Sequence, residues 1–537
     1  MYIGDYLGRR EIYSPDKLAI VDAGKTPALR LTYRELNRRV NKLARWLREV
    51  AGVRKGDRVA ILAKDGVEHL EVFYACGKLG AIHTALNWRL HWQETLGILQ
   101  NTTPKALVFG DDFKSAVQNI LETEDGGRRT EKSPLPAGGV GGGHAVSGLP
   151  SPVLHLAHVD GSGFGASQPY AEAWKDMSDA PIGEETLVME DIAALLFTGG
   201  TTGLPKGAMI SHRQICWNTL NTVIHDLTHD DVYLNVFPLF HTGGLFTYLS
   251  SQITFGNTTI LLRQFDPAQV LDLIQSEKVT VFAAVPTMYQ MLTQAPNWAS
   301  ADLGRLRFCT SGGAPLPVPL VEQYTREKSI RFKQGFGMTE YGPGLFALPP
   351  EDAIRKAGSI GRPNFFVDVR VVDENNQPVG ANQLGELCLK GPSGCSGYWN
   401  NPEATKAAFD AEGWFHTGDI VKHDEGWYFY VVDRKKDMFI SGGENVYPTE
   451  IEAVLYRHEA VHMAAVFGVP DPKWGEVGMA CVILRKGQNA TEQDLIGHMQ
   501  NFLARYKVPK RVVFVDEMPL AGAGKIVKRE LRAKYGN

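Results

Sequence analysis

Short apolar runs alternate with amphipathic helical patterns along the N-terminal part of the chain, and this alternation restricts the fold more than any other feature. In LTYRELNRRVNKLARWL, Thr32 and Glu35 have the spacing of a capping box. Leu36, Val40, Leu43 and Leu47 then recur on one helical face. RVAIL, at Arg58 to Leu62, reads as a strand, a helical pattern follows, and ALVFG at Ala106 to Gly110 reads as the next strand. Further strands are expected in IAALLF, TTILL, VTVFAAV and LRFCT. Between two of them, DPAQVLDLI reads as a helix capped by Asp266, with Pro267 in its first turn and Val270, Leu273 and Ile274 on its apolar face. Strands and helices in alternation bury sheets beneath helices.

With 537 residues, the chain exceeds one hydrophobic core. After about Ala357 the rhythm gives way to β-rich pieces, DVRVVD, GELCLKG and YFYVVDR, and a domain boundary is expected near DRKKD at Asp433 to Asp437. Residues 124–150 are Gly, Pro and charge with almost no apolar content, which predicts a mobile surface insertion. No Asp, Glu, Lys or Arg occurs from Val232 to Leu262, a length that could span a bilayer. Pro238, Gly243, Gly244, Gly256 and several hydroxyls within it point instead to a buried core segment. Six cysteines without CxxC spacing suit buried thiols in a reducing compartment. The opening residues lack a signal-peptide apolar core, so the expected location is cytoplasmic. A net charge of −4 without a basic stripe argues against a nucleic-acid partner.

The apolar run LLF leads into a loop, Thr198 to Gly207, that holds four glycines, three threonines and one lysine. Glycines let backbone amides approach a phosphate, threonine hydroxyls add donors without bulk, and Lys206 adds a point charge. The spacing is not G-x4-G-K-[ST], since Pro205 precedes Lys206 and Gly207 follows it. A phosphate loop of another kind is implied.

FTGGTTGLPKGA closely resembles the signature of the AMP-forming adenylating enzymes, the superfamily of acyl-CoA synthetases, luciferases and peptide-synthetase adenylation domains. Its other motifs follow in order: PLFHTGG, TSGGAPL, QGFGMTE, GWFHTGD, DRKKDMFISGGENVYP and GKIVK. The resemblance covers nearly the whole chain outside the 124–150 insertion. It implies an α/β fold: a large N-terminal domain of helix-covered sheets plus a β-rich subdomain, residues 1–434, and a small mobile α+β C-terminal domain, residues 435–537. It implies an acid–thiol ligase that uses ATP, Mg²⁺ and coenzyme A. The acid's carboxylate attacks the α-phosphate, and the CoA thiol then displaces AMP.

Roles follow from the resemblance position by position. Thr198, Gly199, Gly200, Thr201, Thr202, Gly203 and Lys206 should clasp the β- and γ-phosphates. Glu340 should help hold Mg²⁺, a hard cation suited to carboxylate oxygen, and Thr339 should contact the α-phosphate. Phe336, with Gly337 and Met338 beside it, and the Gly312-Gly313-Ala314-Pro315 backbone should hold adenine; the family more often has tyrosine at Phe336. Asp419 should accept from the ribose hydroxyls with help from Arg434. Lys525 should meet the charge that develops between acid and α-phosphate. PLAGA before it lacks the polar threonine common there. Its neighbours Lys528, Arg529, Arg532 and Lys534 make a basic tail of the kind that is usually solvated. Lys436 matches the hinge, Gly442 and Gly443 should pass the pantetheine arm, and Trp474 and Tyr506 should pack CoA, with Lys507 and Lys510 near its phosphates. His241 reads either as a core histidine or as a group near the substrate carboxylate and thiol.

His458-Glu459-Ala460-Val461-His462 matches HExxH, the mark of zinc peptidases when it lies on a helix. Here VHMAAVFGV reads as a strand, so a helix would break between the histidines. Glycines at 243, 244, 312 and 335 are expected to leave room in the acid pocket, lined by Phe237, Phe240, Phe246 and Met338. Such a lining suits a hydrophobic acid and leaves an amino group unpaired. A medium- or long-chain fatty acid is the expected substrate, with an aryl or cinnamate-type acid next. Transfer to a carrier protein in place of CoA is a rival reading, and the resemblance leaves a homodimer open.

Overall fold

The computed structural model describes residues 4–125, 155–159, 167–184, 186–198, 205–434, 437–441, 444–520 and 526–536. The expected insertion at 124–150 falls almost wholly outside them. The chain forms two compact units, Met1–Phe282 with Met338–Pro343 and Ser393–Thr405, and the remainder from Ala283 onward.

The first unit contains a seven-stranded sheet. Its order is Gln168–Pro169, His155–His158, Ala106–Phe109, Arg58–Leu62, Ile82–Ala85, Ile192–Thr198, Lys206–Ser211. Every neighbouring pair whose register is defined is parallel except the last, an antiparallel hairpin. Parallel strands need cover on both faces. Helix Val67–Leu79 is buried along its whole length, so its charges are paired internally. Lys78 meets Asp5, and Glu71 meets Arg39 and the Tyr170 hydroxyl. Helix Tyr33–Glu49 starts at the anticipated capping box, in which Thr32 N–H donates to Glu35 Oε2 at 2.8 Å and Glu35 N–H to Thr32 Oγ1 at 3.2 Å. Leu36, Val40, Leu43 and Leu47 are all buried.

The charge-free stretch is core. It supplies strand Val232–Asn235, helices Thr242–Phe246 and Leu249–Phe255, and strand Thr258–Leu261. That last strand lies parallel between Val232–Asn235 and Leu18–Asp22. No helix among the described residues is long and apolar enough to cross a membrane.

The second unit pairs Phe308–Gly312 in parallel with the strand that begins at Phe332. It also holds an antiparallel sheet of Asp368–Val372, Gly385–Lys390, Phe415–His423 and Phe429–Arg434. Beyond Arg434, the hairpin of Val461–Asp471 and Gly475–Leu484 anchors a further sheet joined by Phe439–Ser441, Glu444–Val446 and Arg511–Phe514. Alternation splits its side chains between two cores. Ala464 and Val466 pack with Ile451, Leu455, Leu495 and Met499 on one face, while Ala465 and Phe467 pack with Met479 and Leu531 on the other. The chain is thus a mixed α/β protein of helix-covered sheets.

Candidate active site

The glycine-threonine loop closes a hairpin. Thr198 and Lys206 are register partners at the ends of Ile192–Thr198 and Lys206–Ser211, and Thr198 Oγ1 donates to Lys206 O at 3.3 Å. The loop therefore springs from the carboxyl end of a parallel-sheet strand, where open α/β sheets place their ligands. Gly199, Gly200, Thr201, Thr202 and Gly203 lie outside the described residues.

Three chemical groups meet beside that hairpin. Lys206 Nζ stands over the Tyr398 ring, 5.3 Å from its centroid. The Tyr398 hydroxyl donates to Glu340 Oε1 at 2.8 Å. Burial and the neighbouring Glu340 charge push the Tyr398 phenol up, so it stays a neutral donor. The Thr339–Glu340 backbone is clamped as well. The Gln214 amide donates to both carbonyls at 3.3 Å, and Cys395 N–H donates to Glu340 O at 2.6 Å. Gln214 is buried on helix His212–Val223, whose start is capped by Ser211. Lys206, Thr339 and Glu340 lie together through Tyr398 and Gln214, two residues that were not anticipated from sequence.

His241 caps the short helix Thr242–Phe246. Its Nδ1 accepts from Gly243 N–H at 3.4 Å, which leaves the proton of the neutral ring on Nε2. Burial first, and the Arg89 charge second, hold its pKa below the usual histidine value. The segment before it is tied down by Asp65, whose Oδ1 accepts from Leu239 N–H at 2.8 Å. Loss of water pushes the Asp65 carboxyl up to about 7, against the pull of that hydrogen bond and of Arg89. Phe240 meets Trp88 edge-on at 6.3 Å. Gly244 does not open a pocket, contrary to expectation: a Cβ there would stand 2.2 Å from Pro238 O, so its bareness serves backbone packing. Phe246 is buried against Phe73.

In the second unit, Asp419 and Arg434 are cross-strand partners, with Arg434 Nε 2.9 Å from Asp419 Oδ1. Asp419 is 2% exposed and Arg434 39%. The Gly312–Pro315 segment follows strand Phe308–Gly312, and Gly313 has φ +82°, a left-handed turn that favours glycine. Phe336 stands edge-on to Phe346 at 5.7 Å, and Gly337 beside it is exposed.

Trp474 and Tyr506 are exposed by 43% and 40%, and Lys507 is bound by both oxygens of Glu450 at 2.9 and 2.7 Å. Lys436, Gly442, Gly443 and Lys525 lie outside the described residues. On either side of residues 521–525, Leu520 and Ile526 form a β-bridge and Val527 N–H donates to Pro519 O at 2.8 Å. Lys528 is not a solvated tail residue, for it pairs with Glu452 at 2.7 Å.

The zinc-peptidase alternative fails on geometry. Helix Pro448–Leu455 ends before His458, and strand Val461–Asp471 begins between the two histidines. His458 packs edge-on against His498 while His462 is exposed. Among the described residues no group of three His, Cys, Asp or Glu side chains could hold a metal.

The chain matches the family described as AMP-binding enzyme over residues 10–399, and the AMP-binding enzyme C-terminal domain over residues 450–525. It is 39% identical over 535 residues to feruloyl-CoA synthase of an Amycolatopsis species, covering 99% of each chain. It is 35% identical over 536 residues to the long-chain-fatty-acid–CoA ligase FadD13 of Mycobacterium tuberculosis, covering 99% of this chain and 98% of that one. Among solved structures, ATP-bound MatB from Rhodopseudomonas palustris superposes with a TM-score of 0.86 at 31% identity, covering 99% of both chains.

Proposed function

The chain belongs to the AMP-binding enzyme family and is an AMP-forming acid–thiol ligase, and from that premise we propose that its substrate is a hydrophobic aryl acid of the cinnamate type. The observation that carries this reading is the full-length likeness to feruloyl-CoA synthase. Trp88, half-buried and in edge contact with the buried Phe240 that precedes His241, supplies aromatic surface of the kind an aryl ring packs on. A medium- or long-chain fatty acid is the second reading, favoured by the likeness to FadD13.

In the first step the acid's carboxylate oxygen bonds to the α-phosphorus of ATP, and the bond to pyrophosphate breaks. In the second the CoA sulfur bonds to the acyl carbon, and AMP leaves. Such chemistry asks the protein for placement and for charge near the phosphates. The loop from Thr198 to Lys206 clasps the β- and γ-phosphates, and Thr339 contacts the α-phosphate. Glu340 would offer a hard carboxylate oxygen to Mg²⁺, and the ion would supply positive charge beside the phosphates. Lys525 meets the charge that forms between acid and phosphate. Phe336 and Gly312 to Pro315 hold adenine, and Asp419 with Arg434 holds the ribose. His241, kept neutral by its surroundings, stands near the acid's carboxyl and the entering thiol without competing as a cation. Residues 435–537 form a domain that turns at Lys436 between the two steps. Gly442, Gly443, Trp474 and Tyr506 then guide CoA.

The test is a panel of ferulate, cinnamate, octanoate and palmitate with ATP and CoA, read by pyrophosphate release and product mass. Ferulate or cinnamate should give the highest kcat/KM. Turnover confined to the alkyl acids would select the second reading, and no acid-dependent pyrophosphate at all would sink both.

A further inference from the structure

The turn that carries Asp419 is held by more than Arg434. Strands Gly385–Lys390 and Phe415–His423 pair Glu386 with Ile420 and then Cys388 with His416. Only Leu387 lies between those pairs on one strand, whereas Thr417, Gly418 and Asp419 lie between them on the other. The surplus makes a bulge. Gly418 takes φ +72° there with nothing within 4 Å of a Cβ, so glycine is required by backbone conformation and not by crowding.

A bulge strips backbone amides of their ladder partners, and side chains must replace them. Gly418 N–H donates to Glu386 Oε1 at 3.0 Å. Asp419 N–H donates to Thr417 Oγ1 at 3.0 Å, and the Thr417 hydroxyl donates to Leu387 O at 2.8 Å. The second oxygen of Glu386, Oε2, is 3.4 Å from His416 Nδ1. On the far side of that ring, Nε2 is 3.6 Å from Asp410 Oδ2. Asp410 is itself fixed by the amides of Glu412 and Trp414, each at 2.9 Å, and by Arg370. A chain of contacts thus runs from Arg370 through Asp410, His416 and Glu386 to the amide next to Asp419.

We infer that Glu386 is a positioning residue for nucleotide recognition: by holding the Gly418 amide it fixes the bulge that aims Asp419 at the ribose. This rests on the ribose role proposed above for Asp419. Glu386 acts through the backbone of residues 417–419, and His416 steadies its carboxylate from the other side. An acid that merely stabilised the sheet would have no bearing on which ribose is accepted.

The experiment compares ATP with 2′-deoxy-ATP in acid-dependent pyrophosphate release by the full-length chain, for wild type, Asp419→Asn, Glu386→Ala, Glu386→Gln and Glu386→Asp. Asp419→Asn should lose most of the preference for ATP. Glu386→Ala should lose about tenfold of that preference, the size of one charge-assisted hydrogen bond. Glu386→Gln should retain most of it, because the amide oxygen still accepts from Gly418 N–H. Should Glu386→Ala fail to fold, Glu386→Asp, one methylene too short to reach that amide, should show the same loss. Glu386 variants that melt at lower temperature with an unchanged ATP to 2′-deoxy-ATP ratio would overturn the inference. Asp419→Asn with the ratio intact would instead overturn the ribose reading, so the two failures are distinguishable.

Discussion

Glu340 and Asp419 are both carboxylates, and the two units hold them in opposite ways. Glu340 is held by a neutral phenol, Tyr398, at 2.8 Å. Asp419 is held by a guanidinium, Arg434, at 2.9 Å, and is almost fully buried. A neutral donor orients a carboxylate without cancelling its charge, which leaves it able to bind a cation. A guanidinium compensates the charge of the buried acid, whose oxygens then suit hydrogen bonds from uncharged hydroxyls. The partner of each acid therefore matches the proposed ligand, Mg²⁺ with phosphates for one and ribose for the other.

The sharpest way to break this contrast is to remove the charge at Glu340. Glu340→Gln keeps the shape and the Tyr398 contact but offers no anion, and kcat/KM should fall about 10²–10³-fold, a loss typical of one preorganised electrostatic group. Pyrophosphate release across a Mg²⁺ titration measures it. A variant as active as wild type at low Mg²⁺ would end the assignment.

At Arg434 a smaller effect is expected. Arg434→Ala leaves Asp419 buried without its compensating charge. Because Arg434 is 39% exposed, water partly screens the loss, and KM for ATP should rise about tenfold, with a lower melting temperature. Tyr398→Phe comes next: Glu340 keeps its charge but loses one orienting bond, so activity at limiting Mg²⁺ should fall about threefold and recover in excess Mg²⁺. Equal loss at every Mg²⁺ level would mean that the phenol acts elsewhere.

What the sequence disclosed depended on how far apart in the chain the cooperating residues lie. Glu340, Asp419, Lys206 and Thr339 each sit in a short contiguous motif, and contiguous motifs can be read directly. The capping box at Thr32 and Glu35 and the Asp266–Pro267 helix start were legible for the same reason, since three or four neighbouring residues decide them. Tyr398 reaches Glu340 across 58 residues and Gln214 reaches Thr339 across 125, through pairings that no local pattern encodes. Gly244 was misread because bareness alone does not say whether a ligand or a neighbouring carbonyl occupies the space. Lys528 was misread because a basic run does not show which of its members meets a carboxylate.

Asp65 gives the contrast a third case and the smallest expected effect. Its carboxylate has a backbone N–H as its hydrogen-bond donor and loses much of its hydration, so its pKa rises from 3.8 to about 7. Between those values the folded chain holds a proton that the unfolded chain has released. Stability contributed by that proton is complete at the acidic end and is lost as pH rises through the window. Asp65→Asn keeps an acceptor for Leu239 N–H but cannot titrate. Relative to wild type, its melting temperature should therefore climb as pH goes from about 4 to about 7 and level off above. Thermal melts of both proteins across that range read the difference directly. A difference that stays flat would mean Asp65 ionises as an ordinary solvated acid, and that a backbone donor with little water serves as well as the Tyr398 phenol in keeping a carboxylate charged.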